Sequence, residues 1–273
     1  MSQLSSHALK GLAVAKIEIQ QMVEFKLDFF VFWLQSFLRG FLMVAFWWVF
    51  IGIQGGEPLG QLDREAFILL LVATQIFLLP FHGSEAIASM VEAPVIEGRM
   101  ALVLCRPVHP LLITLARVTC RQCRSMLVVL SLWVLTDWFL LPHLMGTEPV
   151  FVFDRLPLLL LSMFLGGLVN NLLHMLLGLM SFWVGYVWSV VYVSGIFSGF
   201  LSGQFFPLHL ISELEFWSRF LPYRSIAYSP ALVATGQAGV GEIGLQVAMA
   251  VGLASLVTWT FNRGVRSFEA AGG

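Results

Sequence analysis

Long apolar stretches separated by short polar connections run through most of the chain. An α-helix needs about 20 mostly apolar residues to cross the hydrocarbon core of a bilayer. Six stretches meet or approach that length: residues 28–53, 66–90, 110–141, 156–180, 182–203 and 240–262. The pattern predicts an all-α integral membrane protein whose six transmembrane helices form a single domain over residues 1–273. With six spans, both termini lie on the same side of the membrane.

The composition supports the assignment as a membrane protein and excludes one class of function. Apolar residues make up 58% of the chain and charged residues 11%, whereas an ordinary soluble domain is about 25% charged. A net charge of -1 excludes nucleic-acid binding through bulk positive potential. Residues 1–27 carry too many charges for a signal peptide, and their weakly amphipathic pattern predicts an interfacial helix on the inner membrane surface.

The distribution of lysine and arginine predicts the orientation of the chain. Basic residues concentrate on the side of the membrane that faces the cytoplasm. One face collects ten: Lys10, Lys16, Lys26, Arg99, Arg106, Arg117, Arg121, Arg124, Arg263 and Arg266. The opposite face holds only four: Arg64, Arg155, Arg219 and Arg224. Both termini are therefore predicted to be cytoplasmic.

Residues 204–239 are apolar enough to resemble a seventh span, but Pro207, Pro222, Pro230 and Gly236 divide them. The pieces are about a dozen residues long, roughly half of what a crossing requires. They are predicted to form two re-entrant helices that dip into the outer leaflet and return. Such backbone is tolerated only where protein or a water-filled cavity covers it.

The connection between the second and third spans, residues 92–110, carries charged and apolar side chains together. Pro94 is predicted to open a short helix there and Pro107 to end it, with Glu97, Arg99 and Arg106 projecting from the membrane surface. Such a helix suits docking into a groove on a soluble partner. An ordinary surface loop with arginines that follow the positive-inside rule explains the same residues equally well.

Motifs for catalysis or nucleotide binding are absent from the sequence. It contains no G-x-x-x-x-G-K-[ST], H-E-x-x-H or G-x-S-x-G, which excludes a P-loop and gives no support to a zinc protease or serine hydrolase. Cys120 and Cys123 match C-x-x-C but lack a second ligand pair, so we expect ordinary packing. No catalytic residue, metal site or bound cofactor is predicted in this chain.

Two sets of residues within the spans, the polar residues of the fourth span and the glycines of the fifth, each have two interpretations. Asn170, Asn171 and His174 in the fourth span face protein or water, either as interhelical hydrogen bonds or as part of a substrate pathway. Gly195, Gly199 and Gly203 recur every fourth residue and predict close helix packing. That packing lies either within the subunit or at an interface between two subunits.

Two runs resemble the permease subunits of bacterial type-2 ABC transporters. The first comprises Ile96, Gly98, Leu104, Arg106, Pro107 and Pro110, and the second comprises Phe220, Leu221, Pro222, Tyr223, Tyr228, Pro230 and Gly236. Together with the span count and orientation, the resemblance covers nearly the whole chain.

The resemblance implies a multi-pass transport subunit of the bacterial inner membrane. We expect it to export an amphipathic or lipid-like compound, because the predicted architecture is embedded in the membrane and its longest outer segment is the 36 residues of 204–239. Two copies of a separate ATPase would bind ATP and Mg, and a second permease, identical or related, would complete the pathway. A coupling helix would dock on the ATPase through Glu97, Gly98, Arg99, Leu102, Leu104, Arg106 and Pro107. An external gate would contain Pro207, Pro222, Tyr223 and Pro230.

The same sequence has three alternative interpretations: an ABC importer, a membrane assembly protein and a lipid-modifying enzyme. Glu92, Ala93 and Gly98 come within one substitution of the E-A-A-x-x-x-G loop of ABC importers, but four spans follow here where one or two are usual. A membrane assembly protein without transport would need no ATPase and would tolerate charge reversal at Arg99 and Arg106. A lipid-modifying enzyme would need titratable residues clustered at one depth, which the spans do not provide.

Overall fold

The computed structural model describes residues 26–53, 63–146, 148–150 and 153–268. Regular secondary structure in these ranges is helical throughout, without strands. The predicted interfacial helix of residues 1–27 falls almost entirely outside the described residues. Its position therefore stays a prediction.

Twelve α-helices occur in the described part of the chain. They are α1 (Lys26–Ile53), α2 (Arg64–Leu78), α3 (Glu85–Ile96), α4 (Met100–Leu104), α5 (Pro110–Leu135), α6 (Leu141–Met145), α7 (Leu156–Leu179), α8 (Ser181–Val184), α9 (Trp188–Leu201), α10 (Ser212–Ser218), α11 (Pro222–Ala234) and α12 (Val240–Ser267). A π-turn at Thr136–Leu140 joins α5 to α6, and 3₁₀ turns form at Leu79–Phe81, Phe153–Arg155 and Leu208–Leu210.

Five helical segments are long and apolar enough to cross a membrane. They are Leu34–Ile53, Arg64–Ile96, Pro110–His143, Phe153–Val184 and Val240–Ser267. These segments correspond to the predicted spans one to four and six. The predicted fifth span corresponds to α9, an apolar helix of 14 residues.

The bounds predicted for the fifth span, residues 182–203, are wrong at both ends. Gly185 has a φ of +79° and ends α8, which continues α7. A new helix begins only at Trp188 and ends at Leu201. At 1.5 Å per residue α9 is about 21 Å long, shorter than the roughly 30 Å hydrocarbon core.

The second span is broken in its middle, and the break brings polar groups into the protein interior. Pro80 lies in the 3₁₀ turn after α2, and Gly83 follows with a φ of +80°. A left-handed backbone at this position favours glycine. Glu85 then lies in the first turn of α3, where the positive end of the helix dipole favours a carboxylate.

Helix α7 lies at the centre of the structure and packs against α3, α11 and α12. Two of its glycines allow these neighbours to approach closely. A Cβ at Gly166 would lie 2.6 Å from the carbonyl oxygen of Ile226, and one at Gly178 would lie 2.6 Å from that of Ala88. Neither contact leaves room for a side chain, so α7 fixes the positions of α3 and α11.

Two short helices, α10 and α11, occupy the segment predicted to be re-entrant. Every residue of α11 from Arg224 to Ala234 is buried, and the helix packs against α2 and α7. Its 13 residues are too few to cross a bilayer. Protein thus covers α11 as the prediction requires, while its depth in the membrane stays a prediction.

Candidate functional site

Two adjoining cavities of about 100 and 370 Å³ lie between α1, α3, α7 and α9. Both are lined by Arg39, Glu85, Gly195 and Gln204. Charged side chains within apolar spans are costly unless they face protein or water. These cavities provide such an environment for Arg39 and Glu85.

The smaller cavity is lined by two of the three polar residues predicted in the fourth span. Asn170 donates from Nδ2 to Ser84 Oγ at 2.9 Å, which connects α7 to the break in the second span. His174 Nδ1 lies 2.9 Å from the carbonyl oxygen of Asn170. His82 and Tyr223 line the same cavity together with Arg39 and Gly195, so five separate parts of the chain converge there.

Asn171 lies outside both cavities. Its Nδ2 donates to Gln122 Oε1 at 2.7 Å, which ties α7 to α5. Asn171 therefore makes an interhelical hydrogen bond, one of the two roles that the sequence left open, and does not line a cavity with Asn170 and His174. Adjacent residues of an α-helix point about 100° apart, whereas residues four apart, such as Asn170 and His174, share a face.

The larger cavity combines charges with aromatic and aliphatic walls. Trp188, Val191, Tyr192, Ile196 and Phe205 line it beside the charged pair already described. A mixed lining of this kind accommodates a molecule that has both polar and apolar parts.

Two hydrogen bonds fix the segment after α9 that lines the cavities, and a third joins α9 to α11. Trp47 Nε1 donates to the carbonyl oxygen of Phe205 at 2.6 Å, and Gln75 Nε2 donates to that of Gln204 at 2.6 Å. The hydroxyl groups of Ser194 and Tyr223 lie 2.9 Å apart. Tyr223, predicted as a gate residue, therefore connects α11 to α9 at the cavity wall.

The three predicted gate prolines occupy different structural positions. Pro207 precedes a 3₁₀ turn, Pro222 is the first residue of α11, and Pro230 lies inside α11. Pro230 is buried and lines a very small void together with Phe77. The gate itself stays a prediction.

A buried ionic network lies beside α11 and was not predicted. Arg224, only 2% exposed, donates from Nε to Glu242 Oε1 at 2.9 Å. Ser229 Oγ donates to the same oxygen at 2.6 Å, and Glu215 Oε1 lies 3.9 Å from Arg224 Nη1. This network ties α10, α11 and the start of α12 together.

His209 and Tyr228 extend the network at its edge. His209 Nδ1 lies 2.5 Å from the hydroxyl oxygen of Tyr228, and Nε2 lies 3.5 Å from Glu215 Oε1. Burial lowers the pKa of His209, although the nearby Glu215 carboxylate raises it. Burial raises the pKa of Tyr228, so the phenol stays protonated at neutral pH.

The predicted coupling region differs in shape from the expectation. Helix α3 continues through Pro94 to Ile96, so Pro94 does not open a new helix. Gly98, with a φ of +67°, makes the turn between α3 and α4. Glu97 and Arg99 flank this turn and form an ion pair with each other, rather than projecting from one helix.

Helix α4 spans only five residues and exposes most of its apolar side chains. Leu102 is 70% exposed and Leu104 is also exposed, whereas Met100 is buried beneath them. Arg106 and Pro107 follow the helix in an exposed turn. The seven predicted docking residues are thus neighbours in space, but no single helix carries them.

The three glycines of the fifth span do not share one helical face. Gly195 is exposed toward the cavities, and a Cβ on Gly199 would lie 2.6 Å from the ring of Phe205. Gly203 lies beyond the end of α9 and has a φ of +75°. Gly199 therefore serves packing within the chain, while a role of Gly195 between subunits stays a prediction.

Comparisons with known proteins identify the family. The family described as "ABC-2 family transporter protein" matches residues 62–272, well over half of the chain. No curated protein and no solved structure matches the chain. The chain therefore belongs to the ABC-2 family of transporter proteins and is a multi-pass membrane permease, as the resemblance indicated.

Proposed function

We propose that this ABC-2 family permease exports an amphipathic or lipid-like compound and is energised by a separate ATPase subunit. Permeases of this family generally work with an ATPase subunit. We further propose that two ATPase copies bind ATP and Mg, and that a second permease, identical or related, completes the pathway. We also propose that the chain lies in the bacterial inner membrane with both termini in the cytoplasm.

The observation that carries this proposal is the mixed lining of the two central cavities. Arg39 and Glu85 offer both signs of charge to the polar part of a substrate, while Trp188, Tyr192 and Ile196 face its apolar part. The cavities lie beside three segments that are long enough to cross a membrane, Leu34–Ile53, Arg64–Ile96 and Phe153–Val184, and beside the shorter helix α9. Asn170 and His174 add hydrogen-bonding groups on the α7 side.

The loop from Glu97 to Pro107 supports a docking role for a soluble partner. Exposed Leu102 and Leu104 form an apolar surface beside Arg99 and Arg106. Exposed apolar side chains rimmed by charges are typical of protein interfaces. In the proposed orientation this surface faces the cytoplasm, where the ATPase acts.

The test is a mild-detergent pull-down of the chain from its native membrane. We expect an ATPase with a P-loop in near-stoichiometric amount, and the double variant Arg99→Glu/Arg106→Glu should lose it. The control Arg263→Glu/Arg266→Glu makes the same charge change at the end of α12 and should keep it.

Both variants should elute as wild type does in size-exclusion chromatography, which separates loss of docking from loss of fold. Retained docking and ATP hydrolysis in the Arg99→Glu/Arg106→Glu variant would disprove the docking role of the loop. If no ATPase accompanies the wild-type chain even after cross-linking, the transporter proposal fails and an assembly protein without transport becomes the better explanation.

A further inference from the structure

Arg39 and Glu85 are opposite charges that line the same two central cavities. Within the ranges that the structure describes, neither side chain forms a hydrogen bond or an ion pair, and the two do not pair with each other. Arg224 and Glu242, by contrast, form an ion pair at 2.9 Å. The central cavities therefore contain one positive and one negative group that a ligand can neutralise.

Both charges lie well inside the membrane. Arg39 is near the middle of α1, about 20 Å from its start, and Glu85 is about 17 Å from the end of α3, at 1.5 Å per residue. The hydrocarbon core is about 30 Å thick, so neither charge lies at headgroup level. Both side chains are exposed at this depth, where lipid cannot compensate a charge as water does on a soluble surface.

Aromatic rings share the larger cavity with Glu85. Trp188 and Tyr192 line it from α9 and stack on each other, with ring centroids 5.5 Å apart. Both residues are more than half exposed, so ring surface is open to a ligand. Because aromatic faces attract cations and a carboxylate pairs with them, this wall favours an ammonium group.

Arg39 supplies the opposite preference. Its guanidinium offers a planar set of donors that matches a carboxylate or a phosphate. Among the described lining residues only Arg39 and Glu85 are permanently charged, while Asn170 and Gln204 offer neutral hydrogen-bonding groups. A ligand with a single charge would leave one of the two side chains uncompensated, which is costly away from water. A ligand with both charges compensates both.

We propose that the exported compound has a zwitterionic headgroup, whose anionic group binds Arg39 and whose ammonium group binds Glu85 between Trp188 and Tyr192. Its hydrocarbon chain leaves the larger cavity past Ile196, which lines it and is 49% exposed. The volume of about 370 Å³ is within the range of about 300 to 1,000 Å³ that small-molecule sites occupy. This substrate class rests on the proposed function, the export of an amphipathic compound.

The test is native mass spectrometry of the full-length chain in mild detergent, titrated with three single-chain amphiphiles of equal chain length. They are lysophosphatidylethanolamine, a zwitterion; lysophosphatidylglycerol, an anion; and an alkylamine, a cation. We expect the zwitterion to bind most tightly. Glu85→Gln should weaken its binding about ten-fold, the effect of about one charge-assisted hydrogen bond, and should not weaken lysophosphatidylglycerol, which has no ammonium group.

Two variants complete the comparison. Arg39→Gln should weaken both phospholipids and not the alkylamine. The control Glu65→Gln removes a carboxylate of the same span in the first turn of α2, outside both cavities, and should leave all three affinities unchanged. Each variant should elute as wild type does in size-exclusion chromatography.

Three results would overturn the substrate class. The first is equal binding of the three amphiphiles by the wild-type chain. The second is equal weakening of the zwitterion by Glu85→Gln and Glu65→Gln. The third is dissociation of a permease dimer by Arg39→Gln or Glu85→Gln with unchanged amphiphile binding, which would assign the two charges to contacts between subunits.

The ATPase pull-down separates the substrate class from the proposed function. Neither Arg39 nor Glu85 is among the docking residues, so Glu85→Gln should keep the ATPase while it loses the preference for the zwitterion. A wild-type chain that binds the ATPase without preferring the zwitterion would refute only the substrate class. A chain that prefers the zwitterion without binding an ATPase would refute only the ATP-driven transport.

Discussion

The substitution Glu242→Gln tests whether the buried ionic network holds α11 in place. It keeps the volume of the side chain and removes its charge. Arg224 would then keep its position, 2% exposed, without the carboxylate that accepts from its Nε at 2.9 Å and from its Nη2 at 3.4 Å. The hydroxyl of Ser229 would also lose a charged acceptor.

The expected loss of unfolding free energy follows from this geometry. Removing one partner of a buried ion pair costs about 3 to 5 kcal/mol because the remaining charge is left uncompensated. Glu215 Oε1 still lies 3.9 Å from Arg224 Nη1 and offsets part of that cost. We therefore expect a loss of about 3 kcal/mol, or about 6 to 12 °C in unfolding temperature on the scale of proteins this size.

The assay is thermal unfolding in detergent, followed by the fluorescence of the nine tryptophans. Arg219→Gln is the control, because Arg219 pairs with Glu215 at an exposed position, where an ion pair contributes about 0 to 1 kcal/mol. The double variant Arg224→Met/Glu242→Met should regain part of the stability, since it leaves no unpaired buried charge. Unfolding of Glu242→Gln within about 2 °C of wild type would show that the network does not stabilise the fold.

Two further predictions concern close packing and pH. Gly166→Ala should lower the unfolding free energy by about 1 to 3 kcal/mol, because its Cβ would meet the Ile226 backbone. Gly195→Ala, with nothing within 4 Å, should leave stability nearly unchanged, and equal loss in the two would contradict this. Burial lowers the pKa of His209 below its usual 6.5. As the pH falls, the histidine of the unfolded chain therefore takes up a proton before that of the folded chain does. The folded state is then most stable above about pH 6.5, and its unfolding free energy declines as the pH falls below that value. Between about pH 7.5 and pH 5.5 the unfolding temperature of His209→Gln should fall less than that of wild type; an equal fall would refute the assignment.

Local pattern was enough to predict the spans, because a membrane crossing depends on the length and polarity of one stretch. The exceptions have local causes as well. Gly185 ends α8 with a left-handed backbone, and a glycine between two apolar runs gave no reason to shorten the fifth span. Pro94 lies in the last turn of α3 and not in the first turn of a new helix, and both positions fit the same sequence.

The candidate site was predicted only in part, because its members come from distant segments. The pairing of Asn170 with His174 follows from helical periodicity, which also excludes Asn171 from that face. Arg39 and Glu85 line the same two cavities, but they lie in different spans, and the packing of those spans does not follow from local pattern. The buried ionic network was missed for the same reason. Arg224 and Glu242 lie 18 residues apart, and the sequence assigns them to different elements, the predicted re-entrant segment and the start of the sixth span.

Helix α3 connects the loop from Glu97 to Pro107 to the central cavities. Glu85, in its first turn, lines both cavities, and the loop begins directly after Ile96. Glu92 Oε1 accepts a hydrogen bond from the backbone nitrogen of Val187 at 2.8 Å, which fixes α3 to the start of α9. Gly178 also allows α7 to pack directly against the backbone of Ala88 in α3. A displacement of the loop must therefore either bend the chain at Gly98 or move α3 together with α7 and α9, which form two walls of the cavities.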